Sequence, residues 1–198
     1  MLDYITRREE ERIDARIRHV EGRKTRDRSA LRSVLYLYRL ATTIQGGEFK
    51  VIRTLCADEW NNLAKVAEGI GLDGTEELLD QIGLTKNDMV KPMEPDLMGE
   101  YFVFDWLCKT KPEQRNAFIA QAWTQEISTF IFFDRLFADY AHLLNEAPNR
   151  WLWFLPPSDS DSTLVLPAWI RATLLTNMSA ICSDSKTCTE IVGRIEAL

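Results

Sequence analysis

Within residues 29–44 the apolar side chains Leu31, Val34, Leu35, Leu37, Tyr38, Leu40 and Ala41 recur at helical spacing and cover much of the circumference. A helix with so little polar face cannot lie on a surface, so other elements must enclose it. Gly46-Gly47 ends it. The rest of the fold has to be arranged around this buried rod.

The flanking segments are shorter or more polar. Residues 2–18 read as a mostly exposed helix, with Arg7 and Glu11, Glu9 and Arg12, and Asp14 and Arg18 at helical spacing. Such pairs contribute roughly 0.2–0.5 kcal/mol each. The stripe Leu2, Ile5, Ile13, Ile17 is thin, so this helix needs a packing neighbour, inside the chain or beyond it. Residues 22–27 interrupt the pattern, and Ser29 is placed to cap the next helix. Residues 48–68 read as one or two short helices with Phe49, Ile52, Leu55, Trp60, Leu63 and Val66 inward. Thr75 is the N-cap candidate for a helix over 76–82. Lys86-Asn87-Asp88, between short apolar ends, admits a small β-hairpin. Three short helices followed by a hairpin is the order of a winged helix, an order that helix bundles also mimic.

Pro92 and Pro95 forbid a continuous helix over 91–100 and favour an extended lead-in. Pro95 and Asp96 suit the first turn of a new helix carrying Tyr101, Phe102, Phe104, Trp106 and Leu107. Residues 112–145 are helical with a break near Thr124, and Phe118, Ala122, Ile127, Phe130, Ile131, Phe133, Leu136, Phe137, Tyr140 and Leu144 form a wide apolar face. Residues 156–163 have loop composition, 164–182 form another helix with Pro167 near its start, and 189–198 form a short terminal one. The expected fold is mainly α: a winged-helix-like bundle with a small β-hairpin, followed by α-helical hairpins that suit the first turns of a solenoid. Three parts are expected: a basic exposed helix and linker over 1–28, a winged-helix-like domain over 29–100, and a repeat-like helical domain over 101–198.

Charge narrows the partners. Residues 1–39 hold eleven Lys/Arg against seven Asp/Glu, a net +4, whereas the remainder carries −10. A basic leading segment can meet nucleic acid or headgroups, but more often it is a solvated helix or packs on an acidic neighbour. Cys56, Cys108, Cys182 and Cys188 include no CxxC pair, and His19 and His142 are isolated, so no zinc site is expected and free thiols in a reducing cytosol are. The start MLDYITRREEER lacks a secretory apolar run, and no stretch of about 18 apolar residues predicts a membrane span.

The most specific string is Lys91-Pro-Met-Glu-Pro-Asp-Leu-Met-Gly-Glu-Tyr-Phe-Val103. It resembles a PLxPDLLGExFV-type signature of bacterial STAND-type P-loop ATPases, relatives of NACHT and NB-ARC proteins, where it follows a winged-helix region and precedes helical repeats. Leu2-Asp-Tyr-Ile-Thr-Arg-Arg-Glu-Glu10 is similar to the helix that leaves the ATPase core in that family. Ala122-Trp123 and Phe132-Phe-Asp-Arg-Leu-Phe-Ala-Asp-Tyr140 are similar to the first helical pair after the signature. The resemblance marks Pro92, Glu94, Pro95, Asp96, Gly99 and Glu100 as a signature turn. It implies a cytoplasmic signalling segment whose partners are an ATPase core or sensor domains, with antiviral defence a common setting. The family's nucleotide chemistry needs a GxxxxGK[ST] loop, whose amides cradle phosphate. That loop is absent from this sequence, as are an apolar strand ending in acidic residues and a Met-His-Asp triplet. No nucleotide contact, cofactor, metal or catalytic residue is therefore assigned to this chain, which is expected not to be an enzyme.

Other chemistry is thin. Asp96 and Glu100 stand four apart, a spacing paired carboxylates can use, but acids are favoured at a helix start anyway. Asp139 and His142 lack a nucleophile elbow. Arg150, Trp151 and Trp153 beside Pro156-Pro157 make a candidate partner surface, since Trp and Arg dominate interface hot spots. Three readings follow: a regulatory interaction segment of a STAND ATPase, a winged-helix DNA-binding regulator, and an enzyme of unrecognised type. Nucleic acid is disfavoured because the helix near 75–82 carries Glu76, Glu77 and Asp80 and no Lys or Arg.

Overall fold

The computed structural model describes residues 2–22, 28–156 and 166–197. The interruption expected at 22–27 and the loop at 156–163 thus lie almost wholly outside the described residues. The chain divides into two compact units, Met1–Asp105 and Trp106–Leu198.

In the first unit, helix α2 (Arg28–Thr43) is the enclosed rod, with Val34, Leu37, Leu40 and Ala41 fully buried. Ser29 lies inside its first turn rather than at the cap. Gln45 and Gly46, both at positive φ, stop the helix, and the Gly46 N–H returns to the Ala41 carbonyl at 2.6 Å. Strand β1 (Gly47–Glu48) follows, then α3 (Phe49–Leu55), α4 (Ala57–Gly69) and α5 (Thr75–Gln81). Strands β2 (Thr85–Lys86) and β3 (Met89–Val90) close the hairpin. Asn87 and Asp88 both take positive φ, the primed turn that a two-residue hairpin loop needs. The sheet is antiparallel in the order β1-β3-β2, with Gly47 opposite Val90 and Thr85 opposite Val90 on the other side. Helix, strand, helices, strand, strand with the first strand beside the last is winged-helix-like connectivity. The mainly α fold with a small hairpin is as expected; β1 was not foreseen.

Helix α1 (Leu2–Glu21) has its neighbour within the unit: it packs on α2 and α5, burying Ile13 and Ile17. The Arg16 guanidinium donates to the Ile82 carbonyl at 2.7 Å, over Gly83. Thr75 is not the cap of α5. Gly74 holds that position, and the buried Thr75 hydroxyl instead donates to the Trp60 carbonyl on α4 at 2.9 Å. A threonine spent on tertiary packing leaves no oxygen for its own helix end.

Helix α6 (Asp96–Lys109) contains the division between the units. The second unit continues with α7 (Pro112–Trp123), α8 (Glu126–Asn145), a 3₁₀ segment (Pro148–Phe154), α9 (Ala168–Ile181) and α10 (Ser185–Glu196). Consecutive helices pack, α7 on α8, α8 on α9 and α9 on α10. The break at Thr124 is there, and the buried Thr129 hydroxyl bridges it by donating to the Ala122 carbonyl at 2.5 Å. The core is aromatic: Phe133 and Phe137 on α8 meet Phe154 at 5.4 and 5.7 Å between centroids. The buried Trp123 indole donates to the Phe154 carbonyl at 2.8 Å. Helix α10 starts earlier than its apolar pattern indicates, because Asp184 caps it through the Thr187 N–H at 2.7 Å.

Candidate functional site

The signature turn is built on the end of α2. Pro92 stands against Gly46, and the Met93 N–H donates to the Thr42 hydroxyl at 3.1 Å. That hydroxyl in turn donates to the Tyr38 carbonyl at 2.7 Å. Met93 is buried, and Glu94-Pro95 leads into α6 through a cis peptide bond. Glu94, Pro95 and Asp96 are exposed. Gly99 then presses α6 onto α2: a β-carbon there would lie 2.8 Å from the Thr42 methyl and 2.9 Å from the Met93 carbonyl oxygen. Prolines that set the entry and a glycine that permits contact make this turn a packing device.

Asp96 and Glu100 do not form an acid–base pair facing solvent, since Asp96 is exposed and Glu100 is 1% exposed. Beside Glu100 in sequence, the Phe102 ring lies 4.3 Å below the buried Arg39 guanidinium, which also pairs with Glu10 of α1 at 2.5 Å. Burial pushes Arg39 down to about 10, with Glu10 opposing the shift.

The basic character of α1 is largely spent inside the helix. Arg7 pairs with Glu11 at 3.3 Å, Arg12 pairs with Glu9, and Arg18 pairs with Asp14. The Glu9 carboxylate raises the Arg12 guanidinium above its ordinary value. An open groove of about 360 Å³ between α1 and α2 is lined by residues of both signs, Arg7, Glu10, Asp14, Arg28 and Arg32 among them. A second groove of about 360 Å³, between α4 and α5, is bordered by Arg53, Trp60, Asp73, Glu76 and Glu77. Neither collects convergent catalytic groups, and no cluster among the described residues has three metal-ligating side chains.

Of the candidate partner residues Arg150, Trp151 and Trp153, Trp151 is turned into the core, while Arg150 and Trp153 stay partly exposed. Trp151 is fully buried against Phe137, 5.3 Å between centroids, and its indole donates to Asn145 at 3.1 Å. Trp153 is half-buried, with the Arg115 guanidinium 3.8 Å from its ring centre and that of Arg150 at 5.9 Å. The 3₁₀ turn spreads neighbouring rings over different sides, so one of the two tryptophans enters the core. Burial lowers Arg115 from its usual value. The tryptophan left in solvent is Trp169 at 51% exposure, which meets Phe130 edge-on, with Ile127 and Ile131 exposed on α8. His142 and Asp139 are exposed on α8. Sequence reading missed two features: the Arg115–Trp153 stack, and Asn145, which joins Trp151, the Ile181 carbonyl (3.0 Å) and the Ser183 N–H (3.3 Å). Neither partnership has a local signal.

No protein-family model matches the chain, and no curated protein or solved structure matches it. No helix among the described residues is long and apolar enough to cross a membrane.

Proposed function

We propose that the chain is a regulatory and interaction segment of a STAND-type signalling ATPase, coupling a nucleotide-binding core to a helical sensor region by protein–protein packing. One observation carries the reading. Within winged-helix-like connectivity, the helix at the reading position, α5, exposes Glu76, Glu77 and Asp80 and offers no Lys or Arg. Such a face repels phosphates and favours a protein partner over nucleic acid. The signature turn supports the same reading, because the close seat of α6 on α2 depends on Gly99 and ties α6 to Thr42 and Met93. In the proposed coupling, a ligand bound elsewhere shifts the packing only by binding one arrangement more tightly than another. ATP chemistry belongs to the core and not to this chain. A cytoplasmic setting and a role in antiviral defence belong to the same proposal.

The test is to titrate the purified chain with a fluorescent ATP analogue and to assay hydrolysis. The expected result is neither saturable binding nor turnover; hydrolysis by this chain alone overturns the proposal. The connectivity itself favours a second reading, a winged-helix DNA binder. Anisotropy of labelled duplex DNA at 50 and 200 mM salt separates the two. Binding that weakens steeply with salt establishes the DNA reading and removes the first.

A further inference from the structure

Two thiols meet at the turn between α9 and α10. Cys182 is the C-cap of α9, and Cys188 lies in the first turn of α10. The Cys188 thiol donates to the Cys182 carbonyl at 3.3 Å, and the Cys182 thiol to the Asp184 carbonyl at 3.6 Å. Their backbones are fixed on both sides. The Cys182 N–H reaches the Met178 carbonyl at 2.8 Å and the Cys188 N–H the Asp184 carbonyl at 2.9 Å. Asn145 holds Ile181 and Ser183 between its amide groups. The backbone that carries both cysteines is therefore tied down on either side of the turn. Cys182 is 8% exposed and Cys188 is half-buried, so an oxidant in solvent reaches Cys188 first. Burial pushes the Cys182 thiol up to about 11, which keeps it protonated and slow as a first nucleophile.

We propose that Cys182 and Cys188 are a redox-modification site that closes a reversible disulfide across the α9–α10 turn, with a peroxide as oxidant. The Cys188 thiolate attacks one peroxide oxygen. A sulfur–oxygen bond forms, the oxygen–oxygen bond breaks, and the departing oxygen leaves as water after taking up protons. Cys182 then loses its proton, and its sulfur displaces the sulfenic oxygen of Cys188, releasing a second water. Two thiols and one peroxide become one disulfide and two waters, and the two electrons lost by sulfur reduce the peroxide bond. A small dithiol reverses the link by exchange. The disulfide replaces two weak thiol hydrogen bonds with a covalent closure of the turn, and α10 can no longer open locally from the end of α9.

The experiment treats the full chain with hydrogen peroxide under native conditions, blocks the remaining thiols and digests with trypsin. Cleavage after Lys186 separates the cysteines, so the disulfide keeps peptide 172–186 joined to peptide 187–194, about 2 Da below the sum of their masses. The joined pair is expected in the wild type, lost on reduction, and absent from Cys182→Ser and Cys188→Ser. Amide exchange over 183–187 is expected to slow by about tenfold or more in the oxidised protein. Recovery of the two peptides apart, with Cys188 carried to the sulfinic acid, overturns the proposal. So does linkage only to Cys56, to Cys108 or to a second chain. The wild-type readout stands even if a serine variant fails to fold.

Discussion

Replacing Gly99 with alanine tests whether the signature turn is a packing device. The new β-carbon would sit 2.8 Å from the Thr42 methyl and 2.9 Å from the Met93 carbonyl oxygen, and the latter is backbone that cannot rotate away. Overpacking of this kind costs about 1–3 kcal/mol. Displacing Met93 also loosens its N–H bond to Thr42, costing about 1 kcal/mol more. Alanine for glycine within a helix returns roughly 1 kcal/mol. The net expectation is a loss of about 1–3 kcal/mol for Gly99→Ala. Gly69→Ala in the same unit is the control, because a β-carbon there meets nothing within 4 Å and the last residue of α4 gains propensity. It is expected to be neutral or to stabilise by a few tenths of a kcal/mol. Urea denaturation followed by far-UV circular dichroism reads both as midpoint shifts at constant slope. A Gly99→Ala protein as stable as Gly69→Ala would refute the packing argument, whatever the sequence resemblance suggests.

Two further outcomes follow from the second unit. Asn145→Ala removes three hydrogen bonds and strands the indole N–H of a fully buried Trp151, so a loss of about 2–4 kcal/mol is expected by denaturant titration of tryptophan fluorescence; a loss below about 1 kcal/mol contradicts the network. The Thr187 hydroxyl and N–H hold the Asp184 carboxyl below the usual carboxylate range. A depressed carboxylate stabilises above its unfolded value of about 3.9, and that contribution is lost as pH falls through the lower folded value. The thermal midpoint of Asp184→Ala is therefore expected to lie below wild type at pH 7 and to converge with it toward pH 2; a gap that widens in acid contradicts the cap.

Features set by a few neighbouring residues could be read directly from the chain. The enclosed α2, the Asn87-Asp88 turn, the break at Thr124 and the proline-led start of α6 each depend on local spacing or on backbone chemistry that a residue type dictates. Strand β1 could not be read this way, because two residues carry no alternation and its partner Val90 lies more than forty positions away. The misplaced cap at Thr75 has a related cause: its hydroxyl goes to Trp60, a choice made by tertiary contact. Trp151 left the candidate surface for the opposite reason. A run of large apolar residues shows that something is buried, but not which ring; only the 3₁₀ geometry sends Trp151 inward and leaves Trp153 beside Arg115.

The brevity of the strands bears on how any partner can approach. Both outer strands, β1 and β2, are two residues long. An incoming peptide would find too few backbone donors and acceptors there to extend the sheet. Such short edges disfavour recognition by strand addition and, in the folded unit, edge-to-edge pairing between copies. A partner of this unit is then met by side chains rather than by a backbone edge, and a single substitution can retune such a contact without disturbing the backbone.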